Sequence, residues 1–190
     1  MRDLLRALEY AHAHGVMHRD IKPQNIVIDP ELRHLRVIDW GLAEFVRPGA
    51  TYSARVGTLF YKAPELLLGF REYDYNVDLW AAGCVAAELL TGRPPLFRGK
   101  TPADQLPASV RVLGSAEFDA FAATYRVRLD SATKKATRNC PRADLAAALA
   151  PAELPPDALD LLAGLLRIDP HARLTATEAL AHPFLAACCD

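Results

Sequence analysis

The stretch His18-Arg19-Asp20-Ile21-Lys22-Pro23-Gln24-Asn25 decides how this chain is interpreted. It carries a carboxylate, an ammonium group and a carboxamide at spacings of two and three residues. The segment from Val16 to Asn25 is polar and contains a proline, which predicts a loop. All three polar groups are therefore expected in one loop.

A second short motif follows that loop after a predicted β-hairpin. The runs Ile26-Val27-Ile28 and Leu35-Arg36-Val37-Ile38 are rich in β-branched residues and flank Asp29-Pro30, so they predict two short strands joined by a turn. Asp39-Trp40-Gly41 comes directly after the second strand. From Gly41 to Lys62 neither a helical nor a strand pattern holds, and loops of this length in compact domains usually serve a function.

Phosphoryl transfer needs the groups that these two motifs supply. A carboxylate must orient the attacking hydroxyl group, for which Asp20 is the candidate, and a cation must offset the charge of the transferred phosphate, for which Lys22 is the candidate. Asn25 and Asp39 offer oxygen ligands for magnesium. A lone Asp in a loop is more often a turn or a helix cap. The two motifs in this order, with a hairpin between them, resemble the catalytic signature of protein kinases.

Further residues resemble structural parts of the same family. Ala63-Pro64-Glu65 resembles the motif that closes a kinase activation segment, and its glutamate, Glu65, is expected to pair with Arg173. Asp78 resembles the aspartate of a central buried helix that steadies the backbone of the catalytic loop. The resemblance gives structural roles to His18 and Arg19 as well.

Within the kinases, the sequence is similar to the catalytic (alpha) subunit of casein kinase II. Ile38-Asp39-Trp40-Gly41-Leu42-Ala43-Glu44-Phe45 has Trp40 where most kinases carry Phe, and this octet is similar to that subunit. The similarity covers nearly the whole chain and is weakest from Thr124 to Leu154. Other stretches that carry it are His34-Leu35-Arg36, Arg47-Pro48-Gly49, Lys62-Ala63-Pro64-Glu65-Leu66-Leu67, Tyr73-Asp74-Tyr75 and Arg173-Leu174-Thr175-Ala176.

The resemblance implies a reaction and its cofactors. It implies transfer of the γ-phosphate of ATP, or of GTP, to serine or threonine, with Mg²⁺ held by Asn25 and Asp39. Val27 and Ile38 match apolar residues that close the floor of the purine pocket, and packing in an ordinary strand core is compatible with that role.

The resemblance also implies acidic protein substrates. Arg55 and Lys62 match two of the basic residues that contact acidic side chains in that family, whereas Leu59 stands where the family has a third arginine. Solvated loop charge is the alternative interpretation of Arg55 and Lys62. In the full-length protein, the regulatory (beta) subunit of casein kinase II is an expected partner.

The chain is expected to be one kinase catalytic domain (1–190), with a catalytic loop at 16–25, an activation segment at 39–65 and a helical subdomain at 66–186. Hydrophobic spacing predicts four helices: one through Leu4 and His12 that ends before Gly15, one from an Asn76 N-cap to Gly92, one that opens at Pro155-Pro156, and one that starts at Thr175 with a capping box. Pro107 should kink or shorten a further helix from Pro102 to Leu113. The fold class is therefore mainly α, a kinase-like C-terminal lobe with a small β-hairpin beside the catalytic loop.

Three parts of a complete kinase ATP site are not recognised in this sequence. It has no G-x-G-x-x-G loop, no V-A-I-K lysine ahead of the catalytic loop and no helix to supply the glutamate partner of that lysine. We therefore expect the N-terminal β lobe to be absent from this chain. We also expect the chain alone to be inactive, because half of the ATP pocket would be open to water.

Composition bears on the ligands to expect and on the cellular compartment of the protein. A net charge of −1 gives no reason to expect binding to nucleic acid or to a membrane, and no stretch of 18 apolar residues predicts a membrane span. Four irregularly spaced cysteines, Cys84, Cys140, Cys188 and Cys189, are typical of a reduced intracellular protein. The family resemblance is consistent with both nucleus and cytoplasm.

Two alternatives remain from the sequence. One is a cyclin-dependent-kinase-like enzyme, against which Trp40 and the residues that follow it argue. The other is a catalytically incompetent module, derived from a kinase lobe, that binds substrates or partners. The intact set of Asp20, Lys22, Asn25 and Asp39 argues against this second alternative. A purely structural helical domain would not explain the catalytic loop.

Overall fold

The computed structural model describes residues 1–32, 34–150 and 152–186, and it is mainly α-helical. Two small antiparallel sheets accompany the helices: β1 (Val16–Met17) pairs with β4 (Glu44–Phe45), and β2 (Ile26–Asp29) pairs with β3 (His34–Val37). The α-helices of the described part are α1 (Arg2–Ala13), α2 (Pro64–Leu67), α3 (Asn76–Thr91), α4 (Pro102–Leu113), α5 (Ser115–Thr124), α6 (Ser131–Thr137), α7 (Leu145–Leu149), α8 (Pro156–Leu165), α9 (Ala176–Leu180) and α10 (Pro183–Ala186).

Helix α3 forms the centre of the core. Its residues from Val77 to Ala87 are all buried, as expected for a helix that is apolar on every side. Its end at Gly92 is confirmed, and Gly92 has the left-handed conformation (φ 64°) that often ends a helix. The predicted start is wrong by one residue. Tyr75 is the N-cap and Asn76 is already helical, and the Asn76 N–H, which has no partner within the helix, donates to Asp74 Oδ1 at 2.9 Å.

Helix α1 leads the chain into the catalytic loop. Leu4, Leu5, Leu8 and Ala11 are buried on one face, which packs mainly against α9, β3 and β1. The helix ends at Ala13, and Gly15 follows with a φ of 77°, as the sequence predicts. Strand β1 then begins at Val16, directly ahead of the catalytic motif.

The predicted hairpin is confirmed, and a second pair of strands joins it. Ile26 lies opposite Val37, and Val27 lies opposite Arg36, which leaves Ile38 just beyond the end of β3. The pairing of Val16 with Phe45 was not predicted, because two residues per strand are too few to show alternation. It ties the start of the catalytic loop to the segment after Asp39.

The remaining helix predictions have mixed outcomes. Helix α8 begins at Pro156, and Thr175 caps α9 with the predicted capping box to Glu178. The expectation that Pro107 shortens its helix is wrong, since α4 runs from Pro102 to Leu113 across it. Pro107 is buried, and packing of its ring offsets the backbone hydrogen bond that a proline cannot donate.

Two further observations bear on the composition. Among the residues that the structure describes, no helix is long and apolar enough to cross a membrane. Cys84, which is buried, and Cys140, which is partly buried, are both free thiols. Cys188 and Cys189 lie outside the described residues.

Candidate active site

A carboxylate of helix α3, that of Asp78, holds the backbone of the catalytic loop. Asp78 Oδ2 accepts a hydrogen bond from the His18 backbone N–H at 2.8 Å, and Asp78 Oδ1 accepts one from the Arg19 backbone N–H at 2.8 Å. His12 Nε2 lies 3.0 Å from the same Oδ2, and Asp78 is buried. Arg19 has a positive φ of 70°, a conformation that costs energy in a non-glycine residue and that this anchoring maintains.

Asp20 lies at the centre of the polar groups of the loop. Its Oδ1 accepts hydrogen bonds from the Thr58 N–H (2.9 Å) and the Thr58 hydroxyl (2.8 Å). Its Oδ2 accepts from Lys22 Nζ at 2.6 Å and from Asn25 Nδ2 at 3.2 Å. Lys22 Nζ also donates to the Thr58 hydroxyl at 3.1 Å. The carboxylate is thus fixed in orientation on both oxygens by the catalytic loop and the activation segment together.

These contacts set the charge state of Asp20. Burial alone would raise the pKa of its carboxyl group. The hydrogen bonds from Lys22 and Thr58, together with the positive charge of Lys22, outweigh burial and hold that pKa below its ordinary value of 3.8. Asp20 is therefore ionised at neutral pH, as a group that accepts a hydrogen bond from an incoming hydroxyl must be.

His18 links the catalytic loop to the segment that carries Asp39. Its Nδ1 accepts from the Asp20 backbone N–H at 3.2 Å, which leaves the ring hydrogen on Nε2 to be donated to the Ile38 carbonyl at 3.1 Å. The ring also packs edge-on against Trp40 at a centroid distance of 4.7 Å. His18 is fully buried, and these contacts connect the catalytic loop to Ile38 and Trp40.

Asn25 and Asp39 meet at the same end of the hairpin. The Ile38 N–H donates to the Asn25 carbonyl at 2.9 Å, which places Asp39 next to Asn25. Asp39 is exposed and has left-handed backbone angles (φ 61°, ψ 63°). The Asn25 side chain donates to the Asp20 carbonyl at 2.8 Å through Nδ2, so its amide oxygen stays available to a ligand.

This pair of residues suits magnesium better than a metal held by protein alone. In the ranges that the structure describes, no group of three or more His, Cys, Asp or Glu side chains is placed so that it could hold a metal ion. Mg²⁺ in phosphoryl-transfer sites usually takes one or two protein oxygens and completes its shell with phosphates and water. One carboxylate and one carboxamide fit that pattern.

The predicted floor of the purine pocket is open to solvent. Val27 is 42% exposed and Ile38 is 41% exposed, and Ile28 and Trp40 are also exposed on this part of the molecule. The Trp40 indole N–H donates to the Val37 carbonyl at 3.0 Å, which holds the ring against the hairpin. An apolar surface of this kind usually marks an interaction site.

The end of the activation segment is fixed by a buried ion pair. Arg173 Nη1 and Nη2 each lie 2.6 Å from one oxygen of Glu65, and both side chains are buried. Arg173 also donates to three backbone carbonyls, those of Arg167, Ile168 and Asn76, and its guanidinium group lies 5.2 Å from the Trp80 ring centroid. The predicted pair is present, with the remaining donors of Arg173 satisfied.

Arg19 and two tyrosines hold the first half of the same segment. Arg19 donates through Nε to the Leu42 carbonyl and through Nη1 to the Tyr73 hydroxyl. The Tyr73 hydroxyl in turn donates to the Ser53 carbonyl at 2.7 Å, and the Tyr52 hydroxyl donates to the Phe45 carbonyl at 3.0 Å. The structural role predicted for Arg19 therefore extends across the loop.

The two predicted substrate contacts lie at different depths. Lys62 is partly buried near Asp20. Burial lowers the pKa of its ammonium group, and the charge of Asp20 opposes that shift. Arg55 is exposed, and its backbone N–H donates to Ser53 Oγ at 3.1 Å. The structure thus places Lys62 near the Asp20 carboxylate and leaves Arg55 at the surface of the activation segment.

Sequence reasoning missed two residues that complete the site. Thr58 contacts Asp20 and Lys22, but a threonine in an irregular loop carries no pattern of its own. His12 reaches Asp78 from helix α1. Its helical spacing predicts its place in that helix and does not indicate this contact. Both contacts join segments that are far apart in the chain.

The chain was compared with known proteins. The family model described as the protein kinase domain matches residues 1–185. Casein kinase II subunit alpha' of Saccharomyces cerevisiae (strain ATCC 204508 / S288c) is 42% identical over 189 residues, which cover 95% of this chain and 54% of that protein. The chain thus spans about half the length of the curated relative that it matches.

Proposed function

Because this chain belongs to the protein kinase family and is similar to casein kinase II alpha subunits, we propose that it is the substrate-binding lobe of a Ser/Thr kinase. The reaction proposed is transfer of the γ-phosphate of ATP, or of GTP, to Ser or Thr of acidic proteins. The observation that carries this proposal is the Asp20 carboxylate, which Lys22, Asn25 and Thr58 hold through four hydrogen bonds.

The arrangement around Asp20 matches what phosphoryl transfer asks of a protein. The ionised carboxylate orients the substrate hydroxyl and receives its proton, and Lys22 lies close enough to offset negative charge on the transferred group. Because Thr58 belongs to the activation segment, the carboxylate is aligned only when that segment is in place. Positioning and charge stabilisation, rather than covalent chemistry, do the work in this class of reaction.

The nucleotide side of the site would be completed by bound groups. Asn25 and Asp39 would hold Mg²⁺, which supplies positive charge against the phosphates. Val27 and Ile38 would lie beneath the base, where their exposed apolar surface excludes water once it is covered.

We propose that a second, N-terminal lobe covers this surface and that residues 1–190 form the C-terminal lobe. Without that cover the chain has no wall above the base and no lysine for the α- and β-phosphates, so water would reach the reacting phosphate. The chain alone is then inactive or nearly so. The regulatory subunit of casein kinase II is a proposed partner of the two-lobed protein.

The test compares this chain with a chimera in which it follows the N-terminal lobe of the yeast relative. Transfer of labelled phosphate to an acidic peptide is measured for both proteins. The chimera should be active and the chain alone should not. Asp20→Asn in the chimera should reduce the rate by at least about 100-fold, as expected when a group that orients the nucleophile is lost.

Two results would count against the proposal. A folded chimera without activity would remove the kinase assignment of this site and favour the incompetent binding module. Activity of the 190-residue chain that depends on Asp20 would remove the requirement for a second lobe.

A further inference from the structure

A groove beside the activation segment is lined by Arg55, which is one of the predicted substrate contacts, and by Arg71, which has no role in the site described above. Its volume is about 460 Å³. It contains two positively charged side chains and no acidic one; its lining is Ser53, Ala54, Arg55, Leu66, Gly69 and Arg71. Across the described ranges, neither the Arg55 nor the Arg71 guanidinium group has an ion-pair or hydrogen-bond partner. Two unpaired cations that line one groove favour an anionic ligand.

Backbone contacts hold the two arginines on facing segments. The Arg71 carbonyl accepts a hydrogen bond from the N–H of buried Tyr52 at 2.7 Å, which joins the two segments that form the groove. The Arg55 N–H donates to Ser53 Oγ at 3.1 Å, and the Tyr73 hydroxyl donates to the Ser53 carbonyl at 2.7 Å. These hydrogen bonds fix the backbone that carries the two arginine side chains.

The groove lies close to Asp20. Arg55 is three residues before Thr58, so the chain places it within about 11 Å of the residue that bonds to Asp20. Leu66 lines both this groove and the internal space bounded by Asp20 and Thr58. An extended peptide advances about 3.3 Å per residue, so the groove is about three residues away from a hydroxyl at Asp20.

We propose that Arg71 is a further specificity-determining residue, which joins the predicted contact Arg55 in a subsite for an anionic side chain of the protein substrate, within about three residues of the phosphorylated Ser or Thr. This proposal rests on the kinase function proposed above. Arg71 follows Ala63-Pro64-Glu65 and lies outside the loop to which the family resemblance assigns substrate contacts. Arg71 supplies a second cation from the segment that neighbours the loop of Arg55.

The chemistry of the two side chains defines the ligand. A guanidinium group offers paired N–H donors that match a carboxylate or a phosphate, and charge-assisted hydrogen bonds of this kind are stronger than neutral ones. A substrate Asp or Glu supplies one such anion, and a previously phosphorylated serine supplies another with higher charge. Both sources share the same recognition chemistry.

The test measures peptide binding by the 190-residue chain, with fluorescence anisotropy at low salt. The peptides carry one acceptor serine and, three residues after it, Asp, phosphoserine or Asn. Arg71→Gln should weaken binding of the two anionic peptides by about tenfold and leave the Asn peptide unchanged. Arg111→Gln, an exposed arginine on α4 that does not line the groove, makes the same change in net charge and should have no such effect.

A second pair of variants fills the groove from within. Ser53→Asp places a carboxylate among the guanidinium groups and should weaken binding of the anionic peptides as Arg71→Gln does. Ser53→Asn has nearly the same shape without the charge and should bind like the unchanged chain. The Ser53 side chain is exposed, and an Asp or Asn side chain can accept the Arg55 N–H in place of the Ser53 hydroxyl, so neither variant should alter the melting temperature.

The peptide-binding results test the subsite independently of the phosphate-transfer results that test the proposed kinase function. Loss of preference for anionic peptides in Arg71→Gln supports the subsite, even if no phosphate transfer is ever measured for the chimera. Tighter binding of phosphoserine than of Asp supports it with a phosphate as the better anion. Equal binding of the Asp and Asn peptides by the unchanged chain, or equal effects of Arg71→Gln and Arg111→Gln, would overturn it, even with a fully active chimera.

Discussion

The catalytic loop and the hairpin beside it differ in how completely contacts within this chain hold their residues in place. His18, Asp20 and Asn25 are buried, and each is bonded within the loop or to helix α3, to Ile38 or to the activation segment. Beyond the same loop, Val27 and Ile38 are about two-fifths exposed, and Asp39 is exposed as well. This chain therefore fixes the proposed substrate side of the site, whereas it supports the proposed nucleotide side from one direction only.

This difference has a physical cause. The catalytic loop contains polar groups that would be costly to bury without partners, so a buried carboxylate, Asp78, is placed beneath it. The hairpin pairs the backbone groups that face between its two strands, and most of its residues are exposed, so it needs no such support. Its outer apolar side chains become buried only if another surface covers them. Substitutions in the two regions should therefore differ in their cost to the stability of this chain.

The largest effect on the free energy of unfolding is expected at the buried ion pair that fixes the end of the activation segment. Glu65→Ala removes one partner of the buried ion pair and leaves the Arg173 charge without compensation. The free energy of unfolding should fall by about 3–5 kcal/mol, as measured by urea denaturation. Arg6→Ala is the control, because its ion pair with Asp3 is exposed and should contribute less than about 1 kcal/mol. Similar losses in both variants would mean that the pair does not anchor the segment.

A somewhat smaller effect is expected at the base of the catalytic loop. Asp78→Asn turns an acceptor oxygen into a donor that faces the N–H of His18 or Arg19. The free energy of unfolding should fall by about 1.5–3 kcal/mol. Hydrogen exchange of those two amides should accelerate relative to the rest of the chain.

The control for this variant makes the same chemical change at the surface. Asp119 is exposed on α5, and Asp119→Asn should alter the free energy of unfolding by less than about 0.5 kcal/mol. If the His18 and Arg19 amides exchange at the same rate in Asp78→Asn as in the unchanged chain, Asp78 does not hold the loop.

A local electrostatic effect is expected at Thr58. Thr58→Val keeps the shape of the side chain but removes the hydroxyl that donates to Asp20 Oδ1. The pKa of Asp20 should then rise from its lowered position towards the ordinary value of 3.8. The carboxyl carbon of Asp20, followed by NMR during an acid titration, reports this directly.

The sign of the linked stability change follows from the lowered pKa. Ionised Asp20 stabilises the folded state at pH values above 3.8, and this contribution is lost as the pH falls through the lower pKa of the folded state. Thr58→Val should make that contribution smaller. Thr51→Val, at an exposed position of the same segment, should leave the titration of Asp20 unchanged. An unaltered Asp20 titration in Thr58→Val would show that the hydroxyl does not set its charge state.

The two regions also differ in how far the sequence alone could predict them. The hairpin, and the placing of Asp20 and Asn25 before it and of Asp39 after it, could be predicted because they depend on local composition and short spacing. The pairs Glu65–Arg173 and His18–Asp78 join residues 108 and 60 positions apart, and only a family resemblance pointed to them. Periodicity carries no information on contacts of that separation.

Thr58 and Arg71 could not be predicted by either route. Thr58 is one polar residue in an irregular loop, and its importance appears only when the activation segment folds back onto Asp20. Arg71 becomes part of a groove because its backbone pairs with Tyr52, which is a tertiary contact. In both cases the chemistry of the side chain was evident, whereas its neighbours were not.

The smallest effect on stability is expected on the open face of the hairpin. Ile38→Ala should reduce the free energy of unfolding of this chain by no more than about 1 kcal/mol, because much of the side chain is already in water. Ile168→Ala makes the same deletion in the core, where Ile168 is fully buried, and should cost about 2–5 kcal/mol. In the chimera with an N-terminal lobe, the cost of Ile38→Ala should rise towards that of Ile168→Ala, since Ile38 would then be covered. An equal and small cost of Ile38→Ala in both proteins would mean that no lobe covers the hairpin, and the nucleotide side of the site would have to be completed in another way.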